Sequence, residues 1–255
     1  MFRELVPQNG EILVVKTVDK NRRALHGCAN GFQYPESDSV EAPDWEPTFT
    51  CGGGLHGLPW CAGDRNMLFE KDSLDTVWCV MRVKTCPENY LSGKGDLLDK
   101  CKFRRAEDVS FGTREEVIAN VLKYVPKDIA VHFAMQTAGD DAMQKAGDFA
   151  TQKAGHRSTQ TAGYESTQKA GYRSTQKAGY ESTQKAGDFS TQTAGDDATQ
   201  TAGIGTVQIS RWYDGKQWVV STRVITEEEA DKWYYVEKGV WRLCAEDEIG
   251  EAEKK

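Results

Sequence analysis

The sequence predicts a mainly β protein: an α+β N-terminal domain, a two-sheet β-solenoid of about five 16-residue coils, and a C-terminal aromatic β-hairpin cap. Three observations lead there. Composition changes abruptly along the 255 residues, with all seven prolines at or before Pro126, all seven tryptophans outside residues 79–211, and no cysteine between Cys101 and Cys244. A glutamine returns every eight residues from Gln136 to Gln208, and such fixed-period self-similarity marks a solenoid or array. Beyond residue 210, turn dipeptides separate short aromatic runs. The domains that follow are residues 1–133, 134–209 and 210–255.

In the first domain, residues 11–18 (EILVVKTV) and 76–83 (TVWCVMRV) are rich in β-branched and aromatic side chains and read as strands. Residues 26–64 are rich in glycine, proline, cysteine and histidine and read as loops. Thr113-Arg114-Glu115-Glu116 is a capping box ahead of Val117, Ile118, Val121 and Leu122, so a helix starts there and Pro126 ends it.

The middle aligns on its glycines as AGDDAMQK, AGDFATQK, AGHRSTQT, AGYESTQK, AGYRSTQK, AGYESTQK, AGDFSTQT and AGDDATQT, then a degenerate AGIGTVQI. Ser-Thr-Gln-Thr-Ala alternates with period two, which is strand chemistry. The glycine and the next two residues form a bend, for which glycine's tolerance of positive φ is the expected reason. One octad makes one short strand and one corner, so two octads close a coil. Lysine must face water, which turns Thr167 and Lys169 outward and Ser166, Gln168 and Ala170 inward. The inward row contains Gln152, Gln160, Gln168, Gln176, Gln184 and Gln192, whose amides can ladder at the strand spacing of roughly 4.8 Å. Disorder is the alternative for so polar a tract, but a disordered tract has no need of strict register.

The unit AGYxSTQT resembles the octapeptide of bacterial ice-nucleation proteins. The resemblance covers residues 134–209 and implies a β-solenoid with 16-residue coils and outward Thr-x-Thr rows that order water. The residues themselves argue against ice binding. Only Thr159/Thr161, Thr191/Thr193 and Thr199/Thr201 keep the outward pattern, and lysines, with strongly hydrated ammonium groups, interrupt both faces.

At the corners, two octads per coil stack His156-Arg157 under Tyr172-Arg173 on one edge and Tyr164-Glu165 under Tyr180-Glu181 on the other. Tyr and Arg are favoured at interfaces. Arg157, Tyr164, Glu165, Tyr172, Arg173, Tyr180 and Glu181 are therefore candidate contact residues, although tyrosines stacked there would also cover their own corners. One edge reads basic and the other acidic, so self-association through edges would set basic against acidic. Mimicry of DNA does not follow, because residues 134–209 hold seven Lys/Arg and eight Asp/Glu, a net of −1.

Two chemical readings attach to the N-terminal loops. Cys51-x4-His56-x4-Cys61 has the spacing of the last three ligands of a zinc knuckle. Thr48 stands where the first cysteine belongs, and Cys28 or His26 would have to complete a tetrahedral zinc site. Without such completion, no cofactor is expected. Leu25-His26-Gly27, Gly31-Phe32-Gln33-Tyr34 and Gly52-Gly53-Gly54-Leu55-His56 resemble the His, Tyr and Gly-rich strand elements of ADP-ribosyltransferase domains. That resemblance implies an enzyme with His26, Tyr34 and His56 in its site, but supplies no catalytic glutamate. The GFxY segment at Gly31-Phe32-Gln33-Tyr34 and the GLH segment at Gly54-Leu55-His56, ahead of AG-type octads, also resemble uncharacterised phage and prophage proteins.

Residues 210–255 read as a cap with an acidic tail. Asp214-Gly215 and Glu237-Lys238-Gly239 each sit between aromatic, β-prone runs, a hairpin signal, and bulky hairpins would cover the solenoid's last strand edges. A net charge of −7 argues against a general nucleic-acid or anionic-membrane binder. Seven cysteines without regular spacing suggest reduced thiols, and the N-terminus lacks a signal-peptide stretch. The expectation is a cytoplasmic, non-catalytic binding protein of a bacterial host cell. Its partner is a protein, a second copy of itself, or both, and an enzyme with the solenoid as oligomerisation stalk is the rival.

Overall fold

The computed structural model describes residues 2–24, 31–36, 38–68 and 76–244. The chain divides into two compact units, Met1–Ile129 and Ala130–Lys255.

The first unit contains β1 (Glu11–Asp19), β2 (Val40–Glu41), β3 (Leu55–Pro59), β4 (Thr76–Lys84), β5 (Tyr90–Ser92), β6 (Cys101–Phe103), β7 (Arg105–Ala106), β8 (Asp108–Gly112) and helix α1 (Arg114–Tyr124). An antiparallel sheet runs in the order β5-β6-β3-β1-β4-β8, while β2 pairs with β7. β1 and β4 pair along their whole length, from Glu11 opposite Lys84 to Asp19 opposite Thr76. Residues 13–18 of β1 are all buried, Lys16 and Thr17 included, so both faces of the strand are covered and burial does not alternate along it. The capping box forms as predicted: Thr113 Oγ1 accepts from the Glu116 amide, and Glu116 Oε2 accepts from the Thr113 amide. Val117, Ile118 and Val121 are buried, and α1 packs on β4 and β8. On the same helix, buried Asn120 exchanges two hydrogen bonds of 2.9 Å with the backbone of Leu5.

β3 lies within the interval read as loop. LHGLP has neither alternation nor β-branched residues; its position between β1 and β6 makes it a strand. A Cβ on Gly57 would lie 2.5 Å from Val14 Cγ1 and 2.8 Å from the Val15 carbonyl oxygen, so only glycine lets β3 approach β1 this closely.

The second unit is the predicted solenoid of about five coils. Strands β9 (Met135–Thr137), β11 (Thr151–Lys153), β13 (Thr167–Lys169), β15 (Thr183–Ala186) and β17 (Thr199–Ala202) form one parallel sheet. β10 (Met143–Lys145), β12 (Thr159–Thr161), β14 (Thr175–Lys177), β16 (Thr191–Ala194) and β18 (Val207–Tyr213) form the other. Every glutamine faces its equivalent one coil on, as Gln152 faces Gln168 and Gln160 faces Gln176.

The glutamines from Gln152 to Gln208 are completely buried, and each donates Nε2–H to Oε1 of the preceding coil. The distances are 3.0, 2.9, 2.9 and 2.7 Å along one row and 2.8, 2.9, 2.9 and 2.9 Å along the other. From Gln152 to Gln192 the second amide hydrogen goes to a backbone carbonyl of the opposite strand, as from Gln168 to Lys177 O at 3.0 Å. At the C-terminal end, the Oε1 atoms of Gln200 and Gln208 have no partner among the described residues.

The corners differ from expectation in one respect. The octad glycines from Gly139 to Gly203 do not take positive φ; the residue two places later does, from Asp141 (56°) to Gly205 (71°). Glycine is needed because successive coils touch there. A Cβ on Gly195 would lie 2.7 Å from Tyr180 N and 2.8 Å from Gly179 C.

Both predicted hairpins form. β19 (Trp218–Val224) pairs antiparallel with β18, and β20 (Tyr234–Glu237) joins β17 through Gln200 and Tyr234 and turns into β21 (Val240–Leu243). The last strand of each solenoid sheet is thereby paired, as a cap requires. Arg223 ties the hairpins together, with its guanidinium carbon 3.7 Å from the Tyr234 ring centroid and 5.4 Å from that of Trp241. The acidic tail lies outside the described residues. The cap also changes one outward pair: Thr201 is 1% exposed, so Thr199/Thr201 is not a surface pair.

Replacing Gln176 with leucine leaves the partner atoms on Gln160, Gln192 and Lys185 unsatisfied, and the expected loss is about 2–4 kcal/mol of solenoid stability. Lys177→Leu, on the exposed face, is expected to change stability by less than about 0.5 kcal/mol. Urea unfolding followed by far-UV circular dichroism checks both.

Candidate functional site

The corner residues are the most variable letters of the repeat, so recognition chemistry in this unit concentrates there. At most corners the first of the two residues either clamps the next coil or stacks on it; Asp196 instead accepts from its own neighbour, the Asp197 amide, at 3.3 Å. Asp140, Asp148 and Asp188 accept through Oδ1, and His132 and His156 through Nδ1, from the backbone amide sixteen residues on, at 2.8–3.0 Å. Tyrosine cannot accept in this way and stacks instead.

On one edge Phe133, Phe149, Tyr164 and Tyr180 form a continuous pile with centroid separations of 5.3, 6.4 and 5.2 Å. Glu165 and Glu181 stand beside it, followed by Asp196-Asp197. The Tyr180 hydroxyl bonds to the Asp197 and Glu181 carboxylates, which raises its pKa. These tyrosines are half-buried, as stacking on their own corner requires.

On the other edge His156 meets Tyr172 at 6.5 Å, Tyr172 meets Phe189 edge-on at 5.9 Å, and the Arg173 guanidinium lies 5.1 Å from the Tyr172 centroid. The edge expected to be basic is partly neutralised from within. Arg157 Nε and Nη2 each reach an oxygen of Asp141 at 2.7 Å, and this fork lowers the Asp141 pKa. Tyr172, Phe189 and Ile204 are 37%, 58% and 41% exposed, an apolar strip along one corner. Phe189 and Ile204 were not singled out by sequence reasoning, although the octad register aligns them with Arg173 and Tyr172.

In the N-terminal unit, His26 and Cys28 lie outside the described residues. Cys51 is exposed, with Lys100 Nζ 3.5 Å from its sulfur, whereas Cys61 is buried and His56 stands on β3. No three His, Cys, Asp or Glu side chains among the described residues come together to hold a metal. Cations surround His56. Burial first, then Lys16, Lys100 and Lys102, pushes its pKa down to about 4, and its Nε2 has no hydrogen-bond partner among the described residues. The same charges oppose a dication. Lys102 is itself completely buried, donating to Thr48 Oγ1 at 3.2 Å and to the Thr50 and Gly52 carbonyls at 3.0 Å, and so shapes the glycine-rich loop. No pattern in the sequence marks it. Tyr34, 2% exposed, belongs to the hydrophobic core, with Phe32 edge-on at 5.1 Å.

No family model, curated protein or solved structure matches the chain.

His56 provides a pH test. The unfolded chain takes up the histidine proton near pH 6.5, whereas the folded chain resists until about pH 4. Stability contributed by the neutral ring is present above pH 6.5 and falls with pH through that window, by on the order of 2–3 kcal/mol. Thermal unfolding midpoints between pH 7 and 4 are expected to drop less steeply for His56→Gln than for the wild-type chain.

Proposed function

We propose that the chain is a non-catalytic interaction protein that presents its solenoid corners to a macromolecular partner, either another protein or a second copy of itself. The observation that carries this reading is the exposed strip of Tyr172, Phe189 and Ile204, flanked by Arg173, on an edge held rigid by the stacked coils. Rigid aromatic groups beside a guanidinium are the residue types that dominate binding energy, and a pre-ordered scaffold loses little entropy on association. Isolated apolar residues on a surface are ordinary, but three on successive coils of one edge form a patch.

The likeness of the GFxY and GLH segments, ahead of AG-type octads, to prophage proteins supports a phage or mobile-element origin. The reading assigns the protein to the bacterial cytoplasm, without a bound cofactor. It leaves no role for ice binding, because Lys177 separates Thr159/Thr161 from Thr191/Thr193 on their shared sheet.

Sedimentation velocity on the full chain and on Tyr172→Ser/Phe189→Ser tests the reading. The wild type is expected at a multiple of 28.4 kDa, or in a complex with a host protein, and the variant as the folded single chain. A wild type that remains single and binds nothing in host extract would overturn the proposal. An activity lost on changing His56 alone would move the function to the N-terminal loops.

A further inference from the structure

The opposite edge leads into a site of different chemistry. Where it reaches the cap, Asp196-Asp197 and the turns of the two hairpins enclose an open cleft of about 800 Å³. Trp212, Tyr213 and Tyr235 supply aromatic walls, Asp196 and Asp197 supply charge, and Lys238 is the only basic residue lining it among the described residues. Three of the carboxylates here already have partners: Asp197 accepts from the Tyr180 hydroxyl, Asp214 caps the amides of Lys216 and Gln217, and Glu237 pairs with Arg242 at 3.4 Å. The wall is fixed in advance. Trp212 donates Nε1–H to Ser221 Oγ at 3.2 Å, and its ring lies so close to Gly239 that a Cβ there would approach it to 2.8 Å. Tyr213, 50% exposed, leans on Trp218 at 5.6 Å.

From this cleft the edge continues through Glu181 and Glu165 beside the stacked rings of Tyr180 and Tyr164. None of its corner residues, from His132-Phe133 to Asp196-Asp197, is lysine or arginine. Glu165 to Asp197 spans two coil rises, roughly 10 Å, the reach of three extended residues. Carboxylates that face water beside π-faces suit an ammonium or guanidinium carried on an apolar stem. A divalent ion would make no use of the aromatic walls, and a small organic cation would make no use of the track beyond them. Nucleic acid is repelled.

We propose that the cleft and the acidic edge together hold an extended, arginine- or lysine-bearing polypeptide segment, one cation lodging between the aromatic walls and Asp196-Asp197 and the next ones on Glu181 and Glu165. The proposal rests on the interaction reading above but uses a different surface, so the two fail separately.

Fluorescence anisotropy of the full chain with labelled deca-arginine, deca-lysine and deca-glutamate tests it. The basic probes are expected to bind and deca-glutamate not to. Asp196→Asn/Asp197→Asn is expected to weaken binding about tenfold, and Tyr213→Ala about three- to fivefold. Glu227→Gln/Glu228→Gln removes equal charge outside the cleft lining and should leave affinity unchanged, as should Tyr172→Ser/Phe189→Ser. Circular dichroism verifies that each variant is folded. Equal weakening by the two charge-matched variants would reduce the effect to unspecific screening and overturn the proposal. So would unchanged affinity in the cleft variants, or displacement of the peptide by tetramethylammonium at equal concentration. If the cleft variants bind normally while Tyr172→Ser/Phe189→Ser dissociates the complex, this site is wrong and the interaction function stands.

Discussion

The solenoid depends on its buried amide ladder. Burying a primary amide costs several kcal/mol unless both hydrogens and the oxygen find partners. Here each interior glutamine meets that requirement by bonding its equivalent in the preceding coil and the backbone of the facing strand. The demand is positional. Slipping one strand by a single residue would bring threonine or lysine into the interior and leave a row of amides unpaired. The ladder thus enforces the sixteen-residue register, and that register puts every corner side chain directly over its counterpart.

The corners divide two backbone demands between neighbouring residues. Glycine answers contact with the previous coil, and the residue two places on carries the left-handed conformation. Asp and Asn adopt that conformation with least strain, and Asp141 and Asp197 follow the preference. Phe149, Arg157, Glu165, Arg173, Glu181 and Phe189 occupy it at about 1–2 kcal/mol each. Residues placed against local preference, on a scaffold that already has a conformationally suitable alternative, are where selection for something other than folding is to be sought.

What could be read beforehand was what is encoded locally or periodically. The capping box at Thr113, the turns at Asp214-Gly215 and Lys238-Gly239, and the inward glutamine row need only a few neighbouring letters or a repeat count. β3 was not legible because Leu55–Pro59 has no strand pattern and is made a strand by β1 and β6. The ion pair of Arg157 with Asp141 follows from the same register that stacks the tyrosines, yet it changes the apparent charge of an edge read one corner at a time. Lys102 carries no sequence mark at all, because a lysine's burial depends on acceptors contributed by a loop some fifty residues away. The acid-aromatic cleft was hidden for a similar reason: its walls come from two hairpins and a corner that are separate in sequence.

Because one coil takes two octads, the repeat has a parity. Gain or loss of sixteen residues lengthens or shortens the rod and leaves each later side chain on its own edge. Gain or loss of eight, the smallest step that repeat slippage offers, carries everything downstream half a turn around the axis. The interior would tolerate this, since both sheets use the same ladder. The exterior would not: the tyrosine pile, the Tyr172 strip and the hairpins would exchange partners, and a chain of unchanged fold would present a scrambled surface. Copy number in such a protein is therefore constrained in pairs by what lies outside the solenoid, even though the inside counts only in ones.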